Sequence, residues 1–298
     1  MGVRVADMSQ RGSGQSLAVS RMQVDDLTNV LEALTEAFGD GFDPGWFHWK
    51  HETSPWGRSE AWVARDDRGL LGVRMLLPWQ FRSDPGTLRA YRPCDTVTVP
   101  RARGRGVFSR LTREAIANLE GEGAFVFNTP NEQSKPGYLK MGFVEWARVR
   151  QWLGTVRPKK SKLGQPIPPA DSTCDATSTA ITNDFLIWRY QSCPKYRYEL
   201  RGVDGAADSN GIVWRARRWR GVKLMVIAEL WGPSRLRKIL VRAAASELGT
   251  SKVWCSESAR ESVDWSIPVG STVVTRYDLK ASNPREPVFS VGDVEDVI

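Results

Sequence analysis

The sequence predicts an α+β protein made of two similar halves, and three observations support this prediction. Segments with the two-residue alternation of strands and segments with the 3.6-residue spacing of helices follow one another along the chain. The segment WKHETSP at 49–55 reappears as WRYQSCP at 188–194, which indicates an internal repeat. Between the halves, residues 157–180 are rich in Pro, Lys, Ser and Thr, a composition typical of a linker or a long loop.

In the first half, the apolar spacing predicts a regular order of elements. A helix is expected at 25–38, and a second helix begins at Asp43 and Pro44, because Asp caps free amides and Pro suits the first helical turn. The remaining helices are expected at 107–119 and 134–141, and the strands at 17–19, 61–65, 70–81, 89–99, 124–128 and 144–156. The order around residue 100 is therefore strand, basic glycine-containing turn, helix.

The second half is expected to repeat this architecture. Its predicted strands at 196–203, 211–218 and 223–231 precede a helix at 234–248. The sequence thus predicts a disordered tail over 1–15, a first domain over 16–157, a linker over 158–180 and a second domain over 181–298. The length of 298 residues agrees, because one compact core rarely holds so many.

Composition limits the classes of function. The hydrophobic content of 41% excludes wholesale disorder, and no apolar run approaches the roughly 20 residues of a membrane-spanning helix. Residues 1–15 lack the apolar core of a secretory signal, so we expect a cytoplasmic protein without a membrane partner. The spacing of the cysteines and histidines predicts neither a disulfide framework nor a metal site. The net charge of +8, mostly from arginine, favours an anionic ligand.

Residues 101–106 have the sequence Arg-Ala-Arg-Gly-Arg-Gly and lie where a strand is expected to pass into a helix. Backbone amides and the helix dipole converge at such a point, which makes it an anion-binding site. Glycine at 104 and 106 lets the backbone approach a pyrophosphate closely, and the three arginines supply positive charge. The alternative is a solvated loop of the same composition.

This turn, with Thr98, Val99 and Pro100 before it, matches the Arg/Gln-x-x-Gly-x-Gly/Ala signature of the GNAT superfamily of acyltransferases. Downstream, Asn131, Tyr138 and the Gly-Phe pair at 142–143 resemble the pattern that follows the fifth strand of this family. The chain therefore resembles a tandem GNAT protein with two domains, each a twisted mixed sheet flanked by helices. Residues 232–238 have no paired glycines, so the second domain resembles a degenerate copy that lines the acceptor cleft without binding coenzyme A.

The resemblance implies direct transfer of an acetyl group from acetyl-coenzyme A to an amine, with no metal and no covalent enzyme intermediate. The acceptor is expected to be a small amine, an amino sugar or a peptide N-terminus. Tyr138 would protonate the leaving thiolate, and Asp95 is the nearest candidate for the base that receives the amine proton. The residues that would bind the cofactor are Thr96, Val97, Thr98, Val99, Arg101, Arg103, Gly104, Arg105, Gly106 and Asn131.

Several alternatives stay open at this point. Tyr138 can instead pack beside Phe143, Asn131 can serve as a turn or cap residue, and Asp95 can pair with an arginine, which would leave water or a carboxylate of the second half as the base. A Fem-type transferase, which takes an amino acid from aminoacyl-tRNA, also has tandem GNAT folds but does not need the glycine turn. A non-catalytic binder of coenzyme A or nucleic acid is the remaining class, because basic and aromatic residues interleave at 214–220. The glycine turn favours coenzyme A over nucleic acid.

Overall fold

The computed structural model describes residues 17–84, 86–119, 123–169, 176–280 and 284–294. Its fourteen strands form one hydrogen-bonded sheet. The strands are β1 Ala18–Arg21, β2 Glu60–Asp66, β3 Gly69–Arg82, β4 Thr87–Thr98, β5 Phe125–Asn128, β6 Val144–Thr155, β7 Leu163–Gly164, β8 Thr177–Thr179, β9 Glu199–Val203, β10 Gly211–Trp219, β11 Val222–Trp231, β12 Lys252–Ser256, β13 Trp265–Asp278 and β14 Pro287–Val288. The predicted tail over 1–15 lies outside the described residues.

Helices cover both faces of this sheet. The α-helices are α1 Leu27–Phe38, α2 Pro44–Phe47, α3 Val107–Ala117, α4 Lys135–Lys140, α5 Asn183–Leu186, α6 Ser234–Leu248 and α7 Val291–Val294. Short 3-10 turns occupy Val24–Asp26, Pro100–Ala102 and Glu257–Ser262, and π-helical turns occupy His48–Glu52 and Ile187–Gln191. The α+β class is confirmed, and most elements begin and end within a few residues of their expected ends.

Local signals explain why these helices form where they do. In α1, the buried Val30, Leu31 and Leu34 recur at helical spacing on one face. Asp43 accepts a hydrogen bond from the backbone amide of Trp46 at 2.8 Å, so it caps α2 as predicted. Patterning of a few neighbouring residues was sufficient to place both helices.

The two halves of the chain have the same sheet topology. In the first half, β1 to β4 are antiparallel, and β4 runs parallel to β5. In the second half, β9 to β11 are antiparallel, and β11 runs parallel to β12. The helix that connects the parallel pair is α3 in one half and α6 in the other. The internal repeat indicated by the sequence therefore extends over whole sheets.

The last long strand of each half, β6 or β13, lies between strands of the other half. Strand β13, from the second half, pairs with β5 of the first half, and β6, from the first half, pairs with β12 of the second. The strands β6 and β13 also pair with each other along most of their length. The two separate sheets that the sequence suggested are thus joined into one. Pairing between strands so far apart in the chain has no local signature, so the sequence did not indicate it.

The expected linker also differs from a simple connection. Within 157–180, β7 pairs with β9, and β8 pairs with both β3 and β14. Proline and polar residues correctly indicated a loop-rich segment, but these short pairings depend on distant strands. Residues 170–175 lie outside the described residues.

The repeated segments meet at the centre of the molecule, where both form π-helical turns. The indole nitrogen of Trp49 donates to the carbonyl of Trp188 at 2.7 Å, and the indole nitrogen of Trp188 donates to the carbonyl of Trp49 at 2.8 Å. The two buried rings stack with centroids 5.6 Å apart. Such reciprocal contacts are expected between two copies of one segment related by a local two-fold axis.

Across the described ranges, no helix is both long enough and apolar enough to span a membrane.

Candidate active site

The glycine turn lies between the 3-10 turn after β4 and the start of α3 at Val107. Gly104 has φ 77° and Gly106 has φ 74°, a left-handed conformation that favours glycine. A Cβ atom at either position would meet no atom within 4 Å, so the space beside both residues is open. At the start of a helix such as α3, the first backbone amides have no intrahelical acceptor and can bind an anion. The predicted turn therefore has the geometry of an anion cradle.

Of the three arginines of the turn, Arg101 and Arg105 pair with Asp66, Arg105 at 3.5 Å, and Arg103 does not. Arg101 donates to both carboxylate oxygens of Asp66, at 3.0 and 2.9 Å, and its other amino group reaches the carbonyls of Gly69 and Leu70. These hydrogen bonds from Arg101 hold the pKa of Asp66 below its usual value. Within the described residues, the side chain of Arg103 has no hydrogen-bond or ion-pair partner. Arg101 thus anchors the turn to the β2–β3 hairpin, and Arg103 is available to a ligand.

Strand β4 presents an unpaired edge next to this turn. It pairs with β5 only at Ala90 and Tyr91, although it continues to Thr98. Its register with β3 shifts between Cys94 and Val97, and Asp95 within this bulge has φ 44°. Along the described chain, β4 has no β5 partner beyond Tyr91, so its backbone groups on that side have no strand partner. The predicted pantetheine-binding residues, Thr96 to Val99, lie on this diverging part of the strand and at its end.

Asp95 forms a buried charge cluster with the first π-helical turn. The ammonium of Lys50 lies 2.5 Å from the Asp95 carboxylate, and Nε2 of His51 lies 3.0 Å from the same oxygen. Burial opposes ionisation of Asp95, but Lys50 and His51 outweigh it and hold the pKa of this carboxyl well below its usual range. Burial lowers the pKa of His51 against the opposing effect of Asp95. A carboxylate stabilised in this way is a weak proton acceptor. The sequence did not indicate that Lys50 and His51 would contact Asp95.

Three side chains of this region lie as close together as metal ligands do. One ligand atom from each of His51, Cys94 and Asp95 lies within 4.8 Å of the others. However, the Lys50 ammonium already neutralises the carboxylate, and burial raises the pKa of the Cys94 thiol to about 12. A protonated thiol is a poor metal ligand. The arrangement therefore suits an internal ion pair better than a bound metal.

Tyr138 lies on α4, with its ring packed against Phe108 and Phe143 at centroid distances of 5.3 and 4.9 Å. Its phenol oxygen accepts a hydrogen bond of 2.6 Å from Nη1 of Arg74. Because an arginine cannot accept a hydrogen bond, the phenol proton is left to point at another partner. The structure thus shows both the packing that the sequence allowed and a hydroxyl oriented by a neighbour.

Arg74 is a residue that the sequence analysis missed. It is 0% exposed, and it donates to Thr112 at 2.6 Å in addition to Tyr138. Its guanidinium lies over the ring of Phe108 at 4.8 Å, and its Nε has no hydrogen-bond partner. Within the described residues, no carboxylate pairs with it. The available signal was the single charge within the apolar run of residues 70–77.

Asn131 caps the turn that leads into α4. Its side-chain oxygen accepts from the amide of Ser134 at 2.9 Å, and its carbonyl accepts from the amide of Lys135 at 2.9 Å. The structure therefore shows the capping role, and the contact with the cofactor arm stays a prediction.

The corresponding turn of the second half is closed. A Cβ atom on Gly232, just before α6, would lie 2.7 Å from the carbonyl oxygen of Ser209. Arg235 in the first turn of α6 pairs with Asp208 at 2.6 Å. In the second half, protein atoms thus fill the space that corresponds to the open space beside Gly104 in the first half. This difference agrees with a degenerate second copy.

Comparisons with known proteins concern the first half of the chain and the overall fold. Residues 18–145 match the family model described as acetyltransferase (GNAT) domain. No curated protein matches the sequence. Two GCN5-related N-acetyltransferases of known structure are similar to the chain. The first, from Anabaena variabilis, has a TM-score of 0.68 at 11% identity over 89% of this chain and 73% of that one. The second, from Kribbella flavida, has a TM-score of 0.64 at 12% identity over 89% and 72%.

A conserved Enterococcus faecalis protein of unknown function is also similar, with a TM-score of 0.67 at 12% identity over 89% of this chain and 73% of that one. At these identities the likeness to solved structures establishes the fold, and the family model matches the first half. Residues 18–145 are therefore similar to a GNAT acetyltransferase domain, within an overall fold shared with GNAT proteins.

Proposed function

We propose that this protein is an N-acetyltransferase that transfers an acetyl group from acetyl-coenzyme A directly to an amine within a ternary complex. The observation that supports the proposal best is the open, left-handed glycine turn at the start of α3, next to the unpaired edge of β4. A pyrophosphate fits the turn, and the pantetheine arm of the same molecule fits the strand edge. One extended cofactor thus accounts for both features.

In the proposed reaction, the nitrogen of the amine attacks the thioester carbonyl, and the carbon–sulfur bond of the tetrahedral intermediate then breaks. The thiolate receives the phenol proton of Tyr138, the proton of the amine passes to water, and a proton from water then restores the phenol of Tyr138. Because the thioester is already reactive, positioning and hydrogen bonds to the developing oxyanion contribute most of the rate. Arg74 acts as a positioning residue. Its guanidinium donates to the Tyr138 hydroxyl oxygen, so the phenol proton of Tyr138 points away from Arg74.

The proposal gives Asp95 a different part from the one first expected. Its buried contacts with Lys50 and His51 fix the π-helical turn against the bulge of β4. Since those contacts also depress its pKa, Asp95 serves the site by holding this geometry and not by receiving a proton.

The acceptor class proposed is a small amine, an amino sugar or a peptide N-terminus, and we expect the protein to act in the cytoplasm. The names of the two GCN5-related N-acetyltransferases support an amine acceptor in general terms.

Calorimetric titration with acetyl-coenzyme A tests the proposal. Gly104→Ala is compared with Gly221→Ala, because Gly221 has φ 80° in the β10–β11 turn and also has open space around its missing Cβ. Both variants carry the same backbone penalty of about 1–2 kcal/mol. Only Gly104→Ala is expected to lose affinity, by about tenfold or more, since hydrogen bonds to a charged group contribute about 1.5–3 kcal/mol.

Release of free thiol in the presence of candidate amines then tests the transfer itself. Absence of saturable binding to the folded wild-type protein would sink the acetyltransferase proposal. Aminoacyl-tRNA-dependent transfer and nucleic-acid binding would then be the functions to examine. Equal loss of affinity in the two glycine variants would show that the turn is not the cofactor site.

A further inference from the structure

A pocket of about 240 Å³ lies where the segment after β1 meets the first π-helical turn and the start of β2. Met22, Leu27 and Phe47, all half-buried, give this pocket an apolar side. Two lining residues of fixed charge, Glu52 and Arg58, form an ion pair of 3.0 Å with each other. Since a cavity of about 150 Å³ takes a benzene ring, the pocket has room for a small, uncharged ligand with an apolar body.

His51 and Ser59 also line this pocket, and the imidazole of His51 joins Ser59 to Asp95. Its Nδ1 lies 2.9 Å from the hydroxyl oxygen of Ser59, and its Nε2 lies 3.0 Å from a carboxylate oxygen of Asp95. The rings of Trp46 and Phe47 pack against the imidazole at centroid distances of 5.4 and 4.9 Å. The imidazole is therefore held in one orientation between a carboxylate and a hydroxyl.

The contacts of His51 also fix the direction of the hydrogen bonds. An ionised carboxylate only accepts, so the proton of the neutral imidazole lies on Nε2, facing Asp95. Nδ1 is then an acceptor, and the hydroxyl of Ser59 donates to it. Burial lowers the pKa of His51, which favours the neutral ring that this arrangement requires.

Serine, histidine and aspartate in this order form the arrangement that activates a serine for attack on an acyl carbon. The two ring nitrogens are exchanged relative to the usual triad, in which Nε2 faces the serine. The chemistry is unchanged, because each neutral imidazole has one donor and one acceptor nitrogen whichever way it is turned.

We propose that Ser59 is an activated nucleophile that accepts the acyl group of a small, uncharged carboxylic ester with an apolar body. The Ser59 oxygen attacks the acyl carbon while Nδ1 of His51 takes the hydroxyl proton. The ester carbon–oxygen bond then breaks, and the departing oxygen takes that proton and leaves as an alcohol. Water next attacks the acyl-serine, again with His51 as base, which releases the carboxylic acid and restores the hydroxyl of Ser59.

Lys50 limits the kind of ester that reacts. Its ammonium lies 2.5 Å from the Asp95 carboxylate, so the negative charge that stabilises a protonated His51 is partly neutralised. A histidine that is a weaker base needs a leaving group that departs easily. Esters of phenols are therefore expected to react, and amides of the same acyl group are not.

The internal repeat supplies a comparison within the same chain. In the second copy of the repeated segment, Tyr190 stands at the position of His51. Its hydroxyl lies 2.6 Å from the buried carboxylate of Glu229. A phenol has one polar atom where an imidazole has two, so it cannot connect a carboxylate to a serine on its other side. The arrangement around His51 thus has no counterpart at Tyr190.

Two probes that differ in the scissile bond test the inference: para-nitrophenyl acetate and para-nitroacetanilide. The wild-type protein is expected to release para-nitrophenol from the ester and to leave the anilide intact. After an acid quench, peptide mass spectrometry should find one acetyl group on Ser59. Ser59→Ala is expected to lower the rate of release by at least about tenfold. Ser209→Ala is the matched control, because the half-buried Ser209 hydroxyl donates to the carbonyl of Ile167 at 3.1 Å and not to a histidine.

Far-UV circular dichroism of both variants verifies that each is folded. Equal rates for Ser59→Ala and Ser209→Ala would overturn the inference, as would acetylation of lysines without acetylation of Ser59. Equal acetylation of Ser59 in wild-type protein unfolded by urea would also overturn it, because the activation of Ser59 depends on the folded position of His51. No coenzyme A is added in these measurements, so their results are independent of the proposed acetyl transfer.

Discussion

Replacing Trp49 with phenylalanine is expected to destabilise the protein more than the same replacement at Trp188. Each change removes one buried indole hydrogen bond, which contributes about 1 kcal/mol. The two carbonyls left behind differ, however. The Trp49 carbonyl also accepts from the hydroxyl of Thr53 at 2.8 Å. In the described residues, the Trp188 carbonyl has the Trp49 indole as its one partner.

The difference follows from the cost of a buried, unpaired carbonyl, about 1–3 kcal/mol. Trp188→Phe should therefore cost about 1–2 kcal/mol, and Trp49→Phe about 2–4 kcal/mol, with the smaller ring adding a similar packing loss to both. Guanidinium chloride unfolding, followed by far-UV circular dichroism and fluorescence, measures both values. Because β6 and β13 are exchanged between the halves, we expect the two signals to coincide in one transition.

Removal of the Thr53 hydroxyl supplies the control. In a Thr53→Val background, Trp188→Phe should become as costly as Trp49→Phe, because the Trp49 carbonyl then also loses its remaining partner. Equal costs of the two tryptophan replacements in the otherwise wild-type chain would refute the reasoning, as would two separate unfolding transitions for the exchanged sheet.

The remaining predictions concern the proposed acid Tyr138 with its neighbour Arg74, and the buried carboxyl of Glu229. Tyr138→Phe is expected to lower kcat for thiol release by about 10²-fold, and Arg74→Met to lower kcat by at least about tenfold while KM for acetyl-coenzyme A stays nearly constant. Arg74→Met should add little to Tyr138→Phe; additive losses would show that Arg74 acts independently of the phenol. Burial and the neighbouring Asp293 raise the pKa of Glu229 from 4.5 to about 8, so this group's stabilisation is complete below pH 4.5 and is lost as pH rises through about 8. Glu229→Gln should therefore flatten the dependence of Tm on pH between 5 and 8, and an unchanged slope would contradict the raised pKa.

Much of the fold was predictable because its signals are local. The spacing of Val30, Leu31 and Leu34 placed α1, the side chain of Asp43 placed the start of α2, and Gly104 and Gly106 marked the turn before α3. The repeat of 49–55 at 188–194 correctly indicated two similar halves. Each of these features depends on residues within a few positions of one another.

The roles of single site residues were less predictable. Arg101 has the position expected for a phosphate ligand, yet it is bound to Asp66 on a neighbouring hairpin. Asp95 has the position expected for a base, yet Lys50 from the π-helical turn neutralises it. Arg74 was not identified at all, because its importance comes from the hydroxyl of Tyr138 on a distant helix. A residue's charge is visible in the sequence, but its partner is not.

The sequence by itself thus determined the order of strands and helices, the glycine turn and the presence of two copies. Tertiary structure alone decided that β6 and β13 are exchanged, that the space beside Gly232 is filled while that beside Gly104 is open, and that Ser59 and Asp95 meet the two ring nitrogens of His51. The physical reason is the distance along the chain over which each kind of interaction acts. Backbone propensity and hydrophobic periodicity act over a few residues, whereas strand pairing, burial and charge compensation depend on segments that only folding brings together.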